Sequence, residues 1–437
     1  MNEDRKGSRN INAALTAASC ALLGTAAPPP AKAEELPRWS LDSALLYYAE
    51  DNDRVQDVSA TIAAIRDFGD ERSLALTLSA DTLTGASPSG AIASNRPQTF
   101  TTPSGNATYT TAAGEVPLDD TFLDTRYALT VNWSQPLGRA YKASAGVSFS
   151  TEYDYTHLGA NLGLSRDFNK RNTTLSFGVA YSQDDIEPVG GVPIPLSEML
   201  DVGLQGNKLG TDSKDVLDLL LGVTQVLNRT TVLRVNYSFS RSSGYLNDPY
   251  KILSVVDPLS GDTLVRTPVG DGPDGIYRYE SRPDSRTKHS VFAEMKHAFG
   301  APVLHASYRF MTDDWSIESH TLEARLRWPL GAASYIEPRV RFYTQTEADF
   351  YRSSLTVIEP LPEFASADFR LGRFDASTVG FKFGQQTATG NEWNVRLEYY
   401  QQTGEIPRAQ NIGAQSTREQ YPDLSAVILQ FGYRFGF

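Results

Sequence analysis

From Trp39 to the C-terminal Phe437, apolar and polar residues alternate over segments of about ten residues, with no sustained 3.6-residue period. In one segment Thr125, Tyr127, Leu129, Val131 and Trp133 share a face, and Asp124, Arg126, Ala128, Thr130 and Asn132 share the other. In another, Leu322, Ala324, Leu326 and Trp328 oppose Glu323, Arg325 and Arg327. Because successive strand side chains point to opposite faces, each segment has one face suited to lipid and one suited to water. The pattern predicts strands at 39–49, 54–68, 72–81, 121–136, 140–153, 155–168, 173–183, 213–227, 231–241, 285–299, 303–313, 317–329, 334–345, 372–384, 391–401 and 424–437.

The connections are sorted by length. Every second one is short, such as Leu137-Gly138-Arg139 or Gly331-Ala332-Ala333. The others include all the long ones, 82–120, 184–212, 242–284, 346–371 and 402–423, rich in Gly, Pro, Ser, Asn and Asp. Short turns on one rim and long loops on the other characterise membrane-spanning barrels. The expected fold is therefore all-β: a transmembrane antiparallel up-and-down β-barrel of about 16 strands (14–18), with short periplasmic turns and long extracellular loops.

Composition supports this reading. Only 40% of the 437 residues are hydrophobic, and no stretch after residue 33 approaches the roughly 20 apolar residues of a membrane helix. A closed barrel tolerates such a polar average, because only alternate residues meet lipid. The net charge of −12 argues against a nucleic-acid partner.

The first 33 residues read as an export signal: basic Arg5, Lys6 and Arg9, apolar Ile11 to Ala27, then an Ala31-Lys32-Ala33 cleavage site before Glu34-Glu35. Ala17-Ala18-Ser19-Cys20 resembles a lipobox more loosely. Removing the leader's four basic and two acidic residues leaves 36 against 50, a net charge of −14, and no cysteine. The expected domains are a signal peptide, 1–33, and a barrel, 34–437.

Few residues announce chemistry. His157, His289, His297, His305 and His320 lack metal-ligand spacing, and His289 and His297 lie on the lipid-facing parity. His305 lies on the polar parity with Ser307 and Arg309, but no nucleophile motif accompanies it, so neither an enzyme nor a cofactor is expected. Asp184-Asp185, Asp271, Asp274 and Asp313-Asp314 read as a solvated acidic rim, with divalent-cation bridging to lipopolysaccharide as the functional alternative. Trp133, Phe149, Tyr237, Trp328, Trp393 and Phe437 suit an interfacial girdle, whereas Tyr245, Tyr250, Tyr277 and Tyr279 in the longest loop are free to touch a ligand or partner.

Interior charge is the strongest functional signal. The polar parity collects Arg234, Glu294, Arg309, Glu323, Arg325, Arg327, Glu337, Arg339, Arg341, Arg396 and Glu398, with Lys288, Lys296 and Lys382. Unpaired charge in a dry core is costly, so these groups are either solvated by a water-filled lumen or paired across strands. They predict a mixed-charge constriction for polar solutes or, equally, a self-neutralising lattice that closes the barrel.

The last strand places Val427, Leu429, Phe431, Tyr433, Phe435 and Phe437 on one parity. This alternation ending in Phe resembles the assembly signal of bacterial outer-membrane barrels. It implies outer-membrane lipid, lipopolysaccharide and the barrel assembly machinery as partners. Trp39 to Tyr48, Glu50 to Val55, Gly85 to Gly90 and Pro117 to Phe122 resemble a bacterial outer-membrane barrel family of uncharacterised function. That resemblance implies a gene setting near flavin-transfer and thioredoxin-like proteins. Two functions follow as expectations: a porin-like channel for small polar solutes, or a non-conducting scaffold for a periplasmic or surface partner.

Overall fold

The computed structural model describes residues 38–437, apart from 53, 104, 205, 268–271, 408–409 and 419. The leader, with Ala31 and Ala33, lies outside the described residues.

Sixteen antiparallel strands close into one barrel. They are β1 Arg38–Glu50, β2 Gln56–Asp67, β3 Ser73–Pro88, β4 Leu118–Leu137, β5 Tyr141–Thr151, β6 Tyr155–Phe168, β7 Thr173–Ile186 and β8 Asp212–Asn228. They continue with β9 Thr231–Gly244, β10 Ser285–Ala298, β11 Val303–Asp313, β12 Glu318–Leu330, β13 Ser334–Gln345, β14 Arg373–Gln386, β15 Glu392–Glu405 and β16 Leu424–Gly436. Each predicted strand is present. Each pairs with its sequence neighbours, and β16 pairs with β1 to close the ring, Leu45 opposite Phe431. Closure satisfies every edge, which a strand in hydrocarbon requires.

Alternation sets the two faces. Leu129, Phe149, Leu322, Phe342, Leu397 and Leu429 are exposed on the outer wall, where lipid would cover them. The turns at 138–140 and 331–333 are tight enough to need a left-handed residue, supplied by Gly138 at φ 74° and Gly331 at φ 84°.

The long loops are built, not loose. Segments Tyr277–Tyr279, Ile252–Val256 and Ser354–Thr356 form a three-stranded sheet, in which the last two pair in parallel. Gln98–Thr101 and Thr108–Thr111 form a hairpin. The sheet joins the β9–β10 loop to the β13–β14 loop, four strands away around the ring. The β3–β4 loop reaches the β9–β10 loop, six strands away, through Ile252 N–H to Ser89 O at 2.9 Å and Ile92 N–H to Ser254 Oγ at 3.1 Å. Ala414 N–H donates to Ser260 O at 2.8 Å and ties in the β15–β16 loop, and the Thr101 hydroxyl donates to Leu200 O at 2.8 Å and ties in the β7–β8 loop. Loops rooted on different sides of the ring thus meet over one mouth as a cap.

The cap has apolar cores of its own. One packs Phe100, Tyr109, Met199, Ile252, Tyr277 and Tyr279, and another packs Leu253, Val255, Leu355, Ala365 and Ala367. This corrects the expectation for the loop tyrosines: Tyr245, Tyr277 and Tyr279 are buried, and the Tyr250 hydroxyl donates to Asp154 at 2.9 Å. Aromatic rings in the cap supply its burial, so they are not presented to a ligand.

Candidate functional site

The lumen charges lie where alternation predicts, and β9 to β15 bring most of them into one lattice. Arg234 on β9 meets Glu294 on β10 at 2.9 Å. Glu294 lies 4.0 Å from both His305 and Arg325. Arg325 contacts Glu323 at 3.0 Å, and Arg339 contacts Glu323 at 2.8 Å. Arg339 also holds Glu398 at 2.8 Å, with Arg396 3.7 Å beyond.

Register explains the sharing. Arg325 lies directly opposite Arg339, and Glu323 opposite Arg341. Two arginines facing each other repel, and Glu323 sits diagonally between them and screens both. Small residues on intervening strands let long side chains cross. Ser307 stands between Glu294 and Glu323, and Gly380 stands between Arg339 and Glu398. A Cβ at Gly380 would come within 2.6 Å of Glu398 Cγ.

The remaining predicted residues use rings or other partners. Arg309 lies over Phe292 at 5.2 Å, Arg327 over Tyr335 at 3.5 Å and Arg341 near Tyr343 at 6.0 Å. Glu337 faces Lys382 across the β13–β14 pair. The Tyr335 hydroxyl donates to Glu392 at 2.6 Å, and its ring lies against Gly384, where a Cβ would clash.

Accessibility within the lattice is uneven. The side chains of Arg325, Arg396, Arg234 and Arg339 are 35, 32, 27 and 22% exposed, against 18% for Glu323, 9% for Glu294 and 4% for Glu398. The carboxylates line the wall and the guanidiniums cover them. The opposite wall is smaller at mid-height, where Asn132, Gly146 and Asn161 stand in register across β4 to β6 and Gly163 faces Gly178, and it holds its own lumen pair, Arg126 with Asp81.

The acidic rim divides: Asp185 and Asp314 are exposed as expected, Asp271 lies outside the described residues, and the Asp184 and Asp313 side chains have no exposed surface. Asp313 pairs with Arg286 and accepts from the Trp315 and Ile317 amides at 3.0 and 2.9 Å. Asp184 accepts from Tyr155, His157 and Lys214. Asp274 accepts from Thr99 N–H at 3.0 Å. No grouping of three or more His, Cys, Asp or Glu side chains suits a metal among the described residues. Of the other histidines, His289, His297 and His320 bond Tyr237, Thr231 and Tyr308 at 2.8, 2.8 and 2.7 Å.

A second charged cluster lies in the cap, where the sequence carries no periodic signal. Arg282 pairs with Glu280 at 2.7 Å and Asp368 at 2.8 Å, and Arg370 pairs with Asp248 at 2.7 Å. Arg370 and Arg282 hold Asp368 well below the usual carboxylate range, while burial pushes Glu280 up to about 7.

At the apolar end, Phe431 is outward-facing, the Tyr433 ring lies tilted 5.7 Å from Phe435, and Phe437 stacks 6.0 Å from Phe435 with 68% of its surface exposed. The Arg234-to-Glu398 lattice was visible in the parity of the strands. The Ser148–His157–Asp184 contacts were missed, although the 152–154 and 169–172 connections already imply their register.

Topology and face pattern together define a closed β-barrel of the outer-membrane type. The chain belongs to the family described as a protein of unknown function (DUF3570), whose model matches residues 12–435. No curated protein matches the sequence. Similar solved folds include a bacterial polysaccharide outer membrane secretin, at 10% identity and TM-score 0.43, covering 93% of this chain and 100% of that one. Another is the outer membrane protein opdK from Pseudomonas aeruginosa, at 10% identity and TM-score 0.36, covering 92% and 99%. The siderophore receptor PirA from Acinetobacter baumannii matches at 11% identity and TM-score 0.39, covering 85% of this chain and 53% of that receptor.

Proposed function

We propose that the protein is an outer-membrane channel for small polar solutes that favours anions. The carrying observation is the layering of the lattice: arginine heads stand between the lumen and the carboxylates that neutralise them. A passing solute meets donors and positive charge before it meets acceptors, and charged rings of this kind set pore selectivity. The cap bridging the long-loop mouth limits what enters by size. Assembly by the barrel machinery and contact with lipopolysaccharide belong to the same reading.

Planar-bilayer recording tests it. The purified barrel is expected to conduct, with a reversal potential in a salt gradient on the anion side, and Arg325→Ala with Arg396→Ala shifts it toward cations. No conductance above background would remove the channel, and a preference unmoved by the double substitution would remove the arginine filter.

The cap also favours a second reading, a scaffold. Its interlocked loops present a fixed surface on which a partner could dock, and a redox carrier would fit the gene setting that the family resemblance implies. Co-purification followed by flavin and haem absorbance separates the two: a barrel isolated alone that conducts excludes an obligatory scaffold.

A further inference from the structure

Three lumen-facing residues on successive strands lie in one hydrogen-bonded line. Ser148 Oγ on β5 lies 3.0 Å from His157 Nε2 on β6, and His157 Nδ1 lies 2.7 Å from Asp184 Oδ1 on β7. His157 faces Asp184 directly in the β6–β7 register. Ser148 is one lumen position along and faces Gly159. The bare Gly159 makes the diagonal possible, because a Cβ there would sit 2.6 Å from Ser148 Oγ and 3.1 Å from His157 Nε2.

Roles follow from the donor inventory. An ionised Asp184 can only accept, so Nδ1 carries the imidazole proton and Nε2 is left to accept from the Ser148 hydroxyl. Asp184 is held in place: Lys214 Nζ lies 3.0 Å from Oδ2, Tyr155 donates to the same oxygen, and Oδ1 is kept for the histidine. Asp184 and His157 are buried, and Ser148 is half-buried, the outermost of the three. A buried carboxylate orienting a histidine whose far nitrogen activates a hydroxyl is the arrangement of a serine nucleophile, recognised by geometry and not by chain order.

We propose that Ser148, His157 and Asp184 form an acyl-transfer site in the lumen wall that hydrolyses short-chain carboxylic esters. Ser148 Oγ attacks the ester carbonyl carbon as its proton passes to His157 Nε2, and the carbonyl π pair moves onto oxygen. Collapse breaks the bond to the alcohol oxygen, which takes the proton from Nε2. Water then attacks the acyl-Ser148 ester by the same route, releasing the acid and restoring the hydroxyl. Donors for the oxyanion stand on the same face. Thr130 is opposite Ser148 across the β4–β5 pair, and Asn161 Nδ2 would lie 2.7 Å from a Cβ at Gly146. Asp184 is a positioning residue, and Ser148 and His157 are the catalytic ones. The wall next to the hydroxyl, Gly146, Gly159, Asn161 and Ser182, is small and polar, so acetyl-sized esters suit it better than lipid esters.

The test uses the full-length barrel folded in detergent. A fluorophosphonate is expected to leave an adduct on the peptide containing Ser148. The barrel is expected to hydrolyse p-nitrophenyl acetate faster than the laurate ester. Ser148→Ala removes both adduct and turnover, and His157→Gln lowers turnover by about 10²-fold or more. Asp184→Asn lowers kcat with little change in KM and alters the pH profile. Ser290→Ala, on β10, changes neither adduct nor turnover. Should Asp184→Asn fail to fold, Ser148→Ala and His157→Gln carry the test alone. An unlabelled Ser148 in a folded barrel, or ester turnover equal in Ser148→Ala, overturns the proposal.

Discussion

Arg339 grips Glu398 across an intervening strand: its Nη1 lies 2.9 and 2.8 Å from the two carboxylate oxygens, while β14 runs between them. The reach exists because β14 offers Gly380 at the crossing point. The expected consequence is a loss of about 3 kcal/mol in Arg339→Met, since removing one partner leaves a buried carboxylate underpaired. Glu398→Gln in the same chain should recover much of it. Urea unfolding of the four chains of the double-mutant cycle measures this, and a coupling near zero would show that the contact is incidental. Gly380→Val should mimic the loss without touching either charge.

The cap should loosen as pH rises through the upper end of the acid range. Burial, with Asp248 and Asp368 nearby, lifts Glu280 from 4.5 to about 7 against the pull of Arg282. A carboxyl raised on folding stabilises most when protonated. Its contribution is complete below about 4.5 and is lost as pH climbs through about 7, at up to about 1.4 kcal/mol per pH unit. Asp368, held low by Arg370 and Arg282, stays ionised throughout that window. Exchange protection factors of residues 245–267 and 272–284, with the intrinsic rise of exchange with pH divided out, should therefore fall between pH 4.5 and 7, and Glu280→Gln should flatten the response. An unchanged slope in the variant would assign the dependence elsewhere.

Phe100 anchors the cap and not the barrel. It is fully buried, 5.0 Å from the Tyr109 ring and 4.6 Å from the Tyr277 ring. Phe100→Ala should cost the cap about 3–5 kcal/mol and open its loops to protease. The sixteen-strand wall should keep its heat-modifiable mobility on gels. On the channel reading, conductance rises in this variant.

The Phe437 side chain contributes little to folded stability, because the residue is 68% exposed and its ring meets Phe435, while its seam contact with Trp39 is a pair of 2.9 Å backbone hydrogen bonds that alanine keeps. Phe437→Ala is expected to lower the amount of barrel inserted in the outer membrane several-fold in cells. The same variant refolded in detergent should keep its midpoint of unfolding. A fall in both would make Phe437 structural.

Most strand positions were legible in the sequence to within a few residues because period-2 alternation is local, each residue meeting lipid or lumen according to its parity; β3 is the exception, running past the expected end at 81 to Pro88. The same parity placed Glu323, Arg325, Arg339 and Glu398 inside the barrel. Their pairing was only half visible. Neighbouring strands give register, but Arg339 reaching Glu398 depends on a gap at Gly380 two strands from the lattice's other half. The loops were unreadable for a related reason. Phe100, Ile252 and Tyr277 carry no periodicity, and they are core only because chains rooted on different sides of the ring fold over one mouth. Ser148, His157 and Asp184 lie between these cases: parity put Ser148 on the polar face, but Asp184 was expected in the loop beyond 183, and it joins the wall because β7 runs on to Ile186. Only the folded hairpins decided that they touch, because the length of β7 and the pairing of β5, β6 and β7 bring a hydroxyl, an imidazole and a carboxylate into line over a glycine.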